Sequence, residues 1–166
     1  MKDIFLNRCD IDIILKETSG SMKALANQRE PLWQDEVKRV AAGIRRRVLE
    51  HTIKNNGGYL SQACSSAEIM ATLYVKVMDL GKMESPLVPQ PFPGVPGSDN
   101  RHYFTGAAFN GPGEHRDRFF LSPAQYALVL YATLIETGRM AEEGLLQFNQ
   151  DGSSVEMIGA EHSPGM

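Results

Sequence analysis

The 166-residue sequence predicts an α/β chain weighted heavily toward helix, and three observations lead there. Apolar residues recur at three- and four-residue steps over three long segments, the signature of amphipathic helices. One short segment, "RFFLS" from Arg118 to Ser122, reads as a buried strand. Between them prolines crowd together, five of the nine lying between Pro86 and Pro96, which excludes helix and central strand there. A single strand leaves its backbone groups without ladder partners, so the implied sheet needs strands from elsewhere. The chain therefore reads as incomplete.

The first 34 residues read as an N-terminal arm. Ile4, Phe5, Ile11, Ile14 and Leu15 form a short amphipathic stretch, and the polar segment "ETSGSMKALANQRE" follows. From Leu32 the helical pattern is strong, with Trp33, Val37, Val40, Ala41, Ile44, Val48 and Ile53 in step. Asn55-Asn56-Gly57-Gly58 should end that helix, because Asn and Gly tolerate positive φ. A second helix is expected from Ser65 or Ser66, either of which can cap it, through Ile69, Met70, Leu73, Tyr74 and Val77 to Gly81. Residues 82–116 form a Pro/Gly-rich loop, long enough to suggest a functional cover with glycine hinges. After the strand, Ser122-Pro123 should open a third helix, which stops near Gly138. A short helix from Ala141 to Phe148 and an irregular tail complete the chain.

Composition narrows the function classes. With 42 % hydrophobic and 22 % charged residues the chain is an ordinary globular one. A net charge of −3 offers no general attraction to nucleic acid or to an anionic membrane. The N-terminal apolar stretch carries acids, a poor secretory signal, and no apolar run has membrane-spanning length. Cys9 and Cys64 are too few for a disulfide framework and lack metal-site spacing. A cytoplasmic location is the expectation, without nucleic-acid or membrane partners. Arg45-Arg46-Arg47 does not change this, since three successive helical residues point in different directions.

Three segments in order resemble the start of transketolase, the thiamine-diphosphate enzyme that moves two-carbon ketol units between sugars. "IRRRVLEHTIKNNGGYLSQACSSAEIMATLY" is similar to the family's opening helix, its Ser-Gly-His-Pro-Gly turn and the helix after it. "RDRFFLSPAQYALVLYATLIETG" resembles the family's Asp-Arg-Phe-x-Leu-Ser strand and the Leu-Tyr-Ala helix that follows. "EEGLLQFNQDGS…HSPGM" resembles the Glu-Glu-Leu-x-x-Phe-Arg-Gln helix and the Pro-Gly that precedes a glycine-rich cofactor turn. The resemblance covers residues 35–166. It implies the first, incomplete part of a thiamine-diphosphate-binding αβα layered fold, present here only as its helix-rich N-terminal part. Its further implications are thiamine diphosphate and Mg²⁺ as cofactors, sugar-phosphate substrates, a homo-oligomeric dimer, and remaining domains or a C-terminal subunit as partners.

The departures are specific. Tyr59 stands where the family has its first-turn histidine, Ala124-Gln125 where it has Gly-His, and Met157 near its third histidine. The Gly-Asp-Gly…Asn motif that holds Mg²⁺ and the diphosphate is absent, so no metal ligand is assigned and the isolated chain is expected to be inactive. Four residues remain as substrate- or cofactor-proximal candidates. Tyr59 can hydrogen-bond a substrate, but its ordinary pKa near 10 bars it from proton transfer at neutral pH. Ser61 leads the small residues Ser61, Ala63, Ser65, Ser66 and Ala67, which would let backbone approach a cofactor or partner, or would simply pack a tight turn between helices. Gln125 can donate and accept but never titrates. His162, beside Glu161, is the best titratable candidate. His51 needs no function at the negative end of its helix. The alternative reading is a non-catalytic, truncated interaction module.

Overall fold

The computed structural model describes residues 32–57, 59–101, 103–122 and 126–166. The arm expected over 1–34 lies almost wholly outside the described residues. The first helix, α1 (Trp33–Asn55), matches its pattern: Val37, Val40, Ala41, Ile44, Val48 and His51 form its buried face. Asp35 and Glu36 in its first turn and Lys54 in its last complement the dipole. Asn56 then takes φ +51°, turning the chain out of the helix.

The second helix, α2, starts earlier than expected, at Leu60 rather than Ser65 or Ser66, and runs to Thr72. The serines do not cap it. Ser65 and Ser66 donate backward to the Gln62 carbonyl (3.1 and 2.6 Å), so their hydroxyls are satisfied inside the helix. Ala63, Ala67 and Ala71 are buried, so part of the small-residue string packs helix on helix. The helix widens into a π-turn over Leu73–Val77 and ends at Met78, three residues before Gly81.

Among the described residues there is no strand, which corrects the expectation at Arg118–Ser122. That segment is irregular, and Phe120 is 79 % exposed. Without a neighbouring strand to accept its hydrogen bonds, an apolar run does not become a ladder. Bridging is confined to two isolated pairs, Leu87 with Met140 and Pro91 with Ser153. The αβα layering is therefore not displayed; the described part is helix-rich.

Its centre is α3 (Ala127–Glu136), in which every residue from Ala127 to Ile135 is buried. A helix apolar all round must be enclosed, and α1 and α2 pack against α3 and each other. Gly138 (φ +70°) closes α3 in the left-handed conformation. The helix expected from Ala141 to Phe148 is a 3₁₀ segment, Glu142–Gln147. No described helix is long and apolar enough to cross a membrane.

The proline-rich stretch is irregular but fastened. Leu87 N–H donates to the Arg139 carbonyl, and the Leu87 carbonyl accepts from Ala141 N–H, both at 2.9 Å. A 3₁₀ turn at Gly106–Asn110 buries Phe109 in the core. The Arg139 guanidinium donates to the Gly81 and Phe109 carbonyls at 3.2 Å, tying both ends of the stretch to the end of α3. Burial pulls its pKa below the ordinary guanidinium value.

Candidate functional site

The C-terminal segment builds the best-defined polar site. Asn149, in the left-handed region (φ +54°), and Gly152 (φ +74°) fold residues 149–155 into a compact loop. Asn149 N–H closes it on the Val155 carbonyl (2.8 Å), and Ser153 N–H on the Gln150 carbonyl (3.1 Å). The loop docks on the proline-rich stretch: Phe92 N–H donates to the Gly152 carbonyl (2.9 Å), and the Ser154 hydroxyl to the Gln90 carbonyl (2.6 Å). Tyr131, from the enclosed α3, donates its hydroxyl to the Glu156 carbonyl at 2.9 Å. Burial pushes that phenol well above its ordinary pKa, so it stays protonated and keeps the bond.

This scaffold places His162. Its ring is buried, with Nε2 3.1 Å from Glu156 Oε2 and the Phe92 ring against it at a centroid distance of 4.7 Å. The carboxylate that meets the imidazole is thus Glu156, six residues before it, and not the adjacent Glu161. A sequence reading misses Glu156 because the pairing depends on the turn between them. The only local signal was the Glu-x₅-His spacing, which has no helical or strand meaning. Beside this pair lies a hollow of about 380 Å³ lined by Phe92, Gln150, Asp151, Ser153, Glu156 and Met157, among others.

The other candidates lie apart. Tyr59 precedes α2, 41 % exposed, with its ring edge-on to Tyr126 at 5.4 Å. Ser61 is exposed in the first turn of α2 and donates to the Gln62 side-chain oxygen at 2.8 Å. Gln125 lies outside the described residues. Among the described residues no hydrogen bond, ion pair or ring contact joins Tyr59 or Ser61 to His162. His51 stands near the C-terminal end of α1, as its position in the sequence implies. It is buried against Phe148, and desolvation, with Lys54 adding to it, holds its pKa below 6.5.

The arginine run Arg45-Arg46-Arg47 of α1 serves the neighbouring elements. Arg45 pairs with Glu68 and donates to the Cys64 carbonyl (3.0 Å) on α2. Arg47 pairs with Glu136, and reaches Glu142 at 2.6 Å.

Magnesium held with a diphosphate needs several hard oxygen ligands around the ion. Among the described residues no three His, Cys, Asp or Glu side chains converge as a metal site. These residues do not fit that group.

The chain is 31 % identical over 127 residues to a Sinorhizobium fredii protein named as an uncharacterised member of the transketolase family. The match covers 76 % of this chain and 36 % of that relative, so the chain spans about a third of the relative's length. No family model matches the chain. No solved structure matches it either.

Proposed function

We propose that this chain is the N-terminal part of a transketolase-like diphosphate-binding domain, serving thiamine-diphosphate-dependent transfer of a two-carbon ketol unit between sugar phosphates. The observation that carries this reading is the 127-residue similarity to a protein named for that family. The three family-like segments, in the family's order, support it. In this reading the cofactor supplies the carbanion chemistry and the protein binds and orients. The Mg²⁺ and diphosphate ligands come from outside this chain, from further domains or a C-terminal subunit of a dimer. The 149–166 segment and the start of α2 face the substrate, and the chain is inactive by itself.

A second reading, a non-catalytic interaction module, is favoured by one specific observation: Tyr59, Gln125 and Met157 stand near the positions of the family's histidines. One experiment separates the two. The chain, tagged in its native cell, is purified with whatever it is joined to or associated with, and assayed for ketol transfer from a ketose phosphate to an aldose. Activity that requires added thiamine diphosphate and Mg²⁺ supports the enzyme. An intact assembly that binds no cofactor and transfers nothing supports the module. Calorimetry on the 166-residue chain alone should show no cofactor binding; low-micromolar affinity there would overturn the assignment of its ligands to other sequence.

A further inference from the structure

The hollow beside His162 has a lining whose chemistry selects a ligand. Among the described residues its charged lining consists of carboxylates, Asp151 and Glu156, with no lysine or arginine. Asn149, Gln150 and Ser153 add amide and hydroxyl groups. Phe92, 41 % exposed, presents an aromatic surface, and the His162 ring meets it edge-on at 4.7 Å. A phosphate or carboxylate entering this hollow would meet like charges at short range. Hydroxyl groups suit it better, because each can donate to a carboxylate and accept from an amide. The C–H face of a hydroxylated carbon chain matches an aromatic surface, as polar groups fix orientation within a largely apolar wall.

We infer that this hollow binds an uncharged, polyhydroxylated carbon chain and excludes phosphate esters, with Asp151, Glu156 and Phe92 setting that choice. It rests on the proposed function only in taking that chain to be the hydroxylated end of a substrate. Any phosphate of the same substrate is then held by residues other than those of this lining. The Glu156–His162 pair fixes the carboxylate, so Glu156 offers its remaining acceptor positions in one orientation.

The test is amide chemical-shift titration of the full 166-residue chain with D-sorbitol and, separately, D-sorbitol 6-phosphate. Sorbitol should shift the amides of Gly152, Ser153 and Met157, with at least tenfold weaker binding of the phosphate. Phe92→Ala should weaken sorbitol binding about tenfold. The near-isosteric pair Asp151→Asn and Glu156→Gln should close most of the gap between the two probes, with amide dispersion reporting that the fold is kept. Equal or tighter binding of the phosphate, an unchanged gap in the double variant, or no shifts with 100 mM sorbitol would each overturn the inference. None of these outcomes bears on ketol transfer, which the assay of the native assembly decides separately.

Discussion

The carboxylate of Glu136, at the end of α3, lies against the bare backbone of Gly43 in the middle of α1. A Cβ built on Gly43 would overlap that carboxylate and sit 2.8 Å from Glu136 Cγ. The side chain is only 6 % exposed, and three arginines of α1 converge on it: Arg39 at 3.5 Å, Arg46 at 4.0 Å, and Arg47 in direct contact. The glycine is therefore a slot for the acid that joins the two helices.

Replacing a mid-helix glycine by alanine ordinarily stabilises a helix by about 1 kcal/mol. Here Gly43→Ala should instead destabilise, by roughly 1–3 kcal/mol, because Glu136 must leave its slot and part from its arginines. Urea melts of the single variant and of Gly43→Ala with Glu136→Ala separate the effects. The second substitution should recover part of the loss by removing the overlap. A stabilised single variant would show that Glu136 moves aside freely.

His51 makes stability depend on pH in a definite direction. Its Nδ1 lies 3.3 Å from the Asn55 side-chain nitrogen, and its buried Nε2 has no hydrogen-bond partner among the described residues. The folded pKa is lowered from 6.5, chiefly by burial. Between the two values the unfolded chain binds more protons, so stability is full above about 6.5 and falls as pH drops below it, by at most about 1.4 kcal/mol per pH unit. The loss ends once pH passes the folded value. The carboxylates whose pKa the arginines lower, Glu36, Glu68 and Glu142, act only below 4.5 and leave this window clear. His51→Gln should flatten the difference between urea melts at pH 7.5 and 5.5; a difference as steep as in the parent chain would assign it elsewhere.

Much of the helical framework is legible in the sequence, and the reasons are local. Val37, Val40, Ala41, Ile44 and Val48 mark α1 because burial of one helical face leaves a 3.6-residue period. Asn56 marks its end through its tolerance of positive φ. What misleads is what depends on distant partners. Ser65 and Ser66 look like caps, yet their hydroxyls find the Gln62 carbonyl within the helix. Arg118–Ser122 looks like a strand, yet no described segment pairs with it. The site divides in the same way: His162 stands out as a titratable residue, while Glu156 and Phe92 join it only through turns at Asn149 and Gly152 and a backbone bond from Phe92 to Gly152.

The proline-rich stretch tests the same distinction between local signal and tertiary packing. Its composition suggests a hinged cover, but its ends are locked backbone to backbone. Gly81 N–H donates to the Asn110 carbonyl at 2.8 Å. A Cβ on Gly81 would lie 2.7 Å from Gly111 C, and one on Gly111 2.6 Å from Gly81 Cα. Gly111 also has φ +87°, where an L side chain is strained. Arg139 reads the same junction through the Gly81 and Phe109 carbonyls. Gly111→Ala should therefore cost roughly 2–4 kcal/mol, combining backbone strain with overlap against atoms that cannot rotate away. Deleting residues 86–112 should go further and abolish cooperative unfolding, because it removes Phe109 from the core and the Phe109 carbonyl from Arg139. Thermal melts followed by far-ultraviolet circular dichroism check both. A deletion variant that still melts cooperatively near the parent temperature would show that this stretch contributes little to the core.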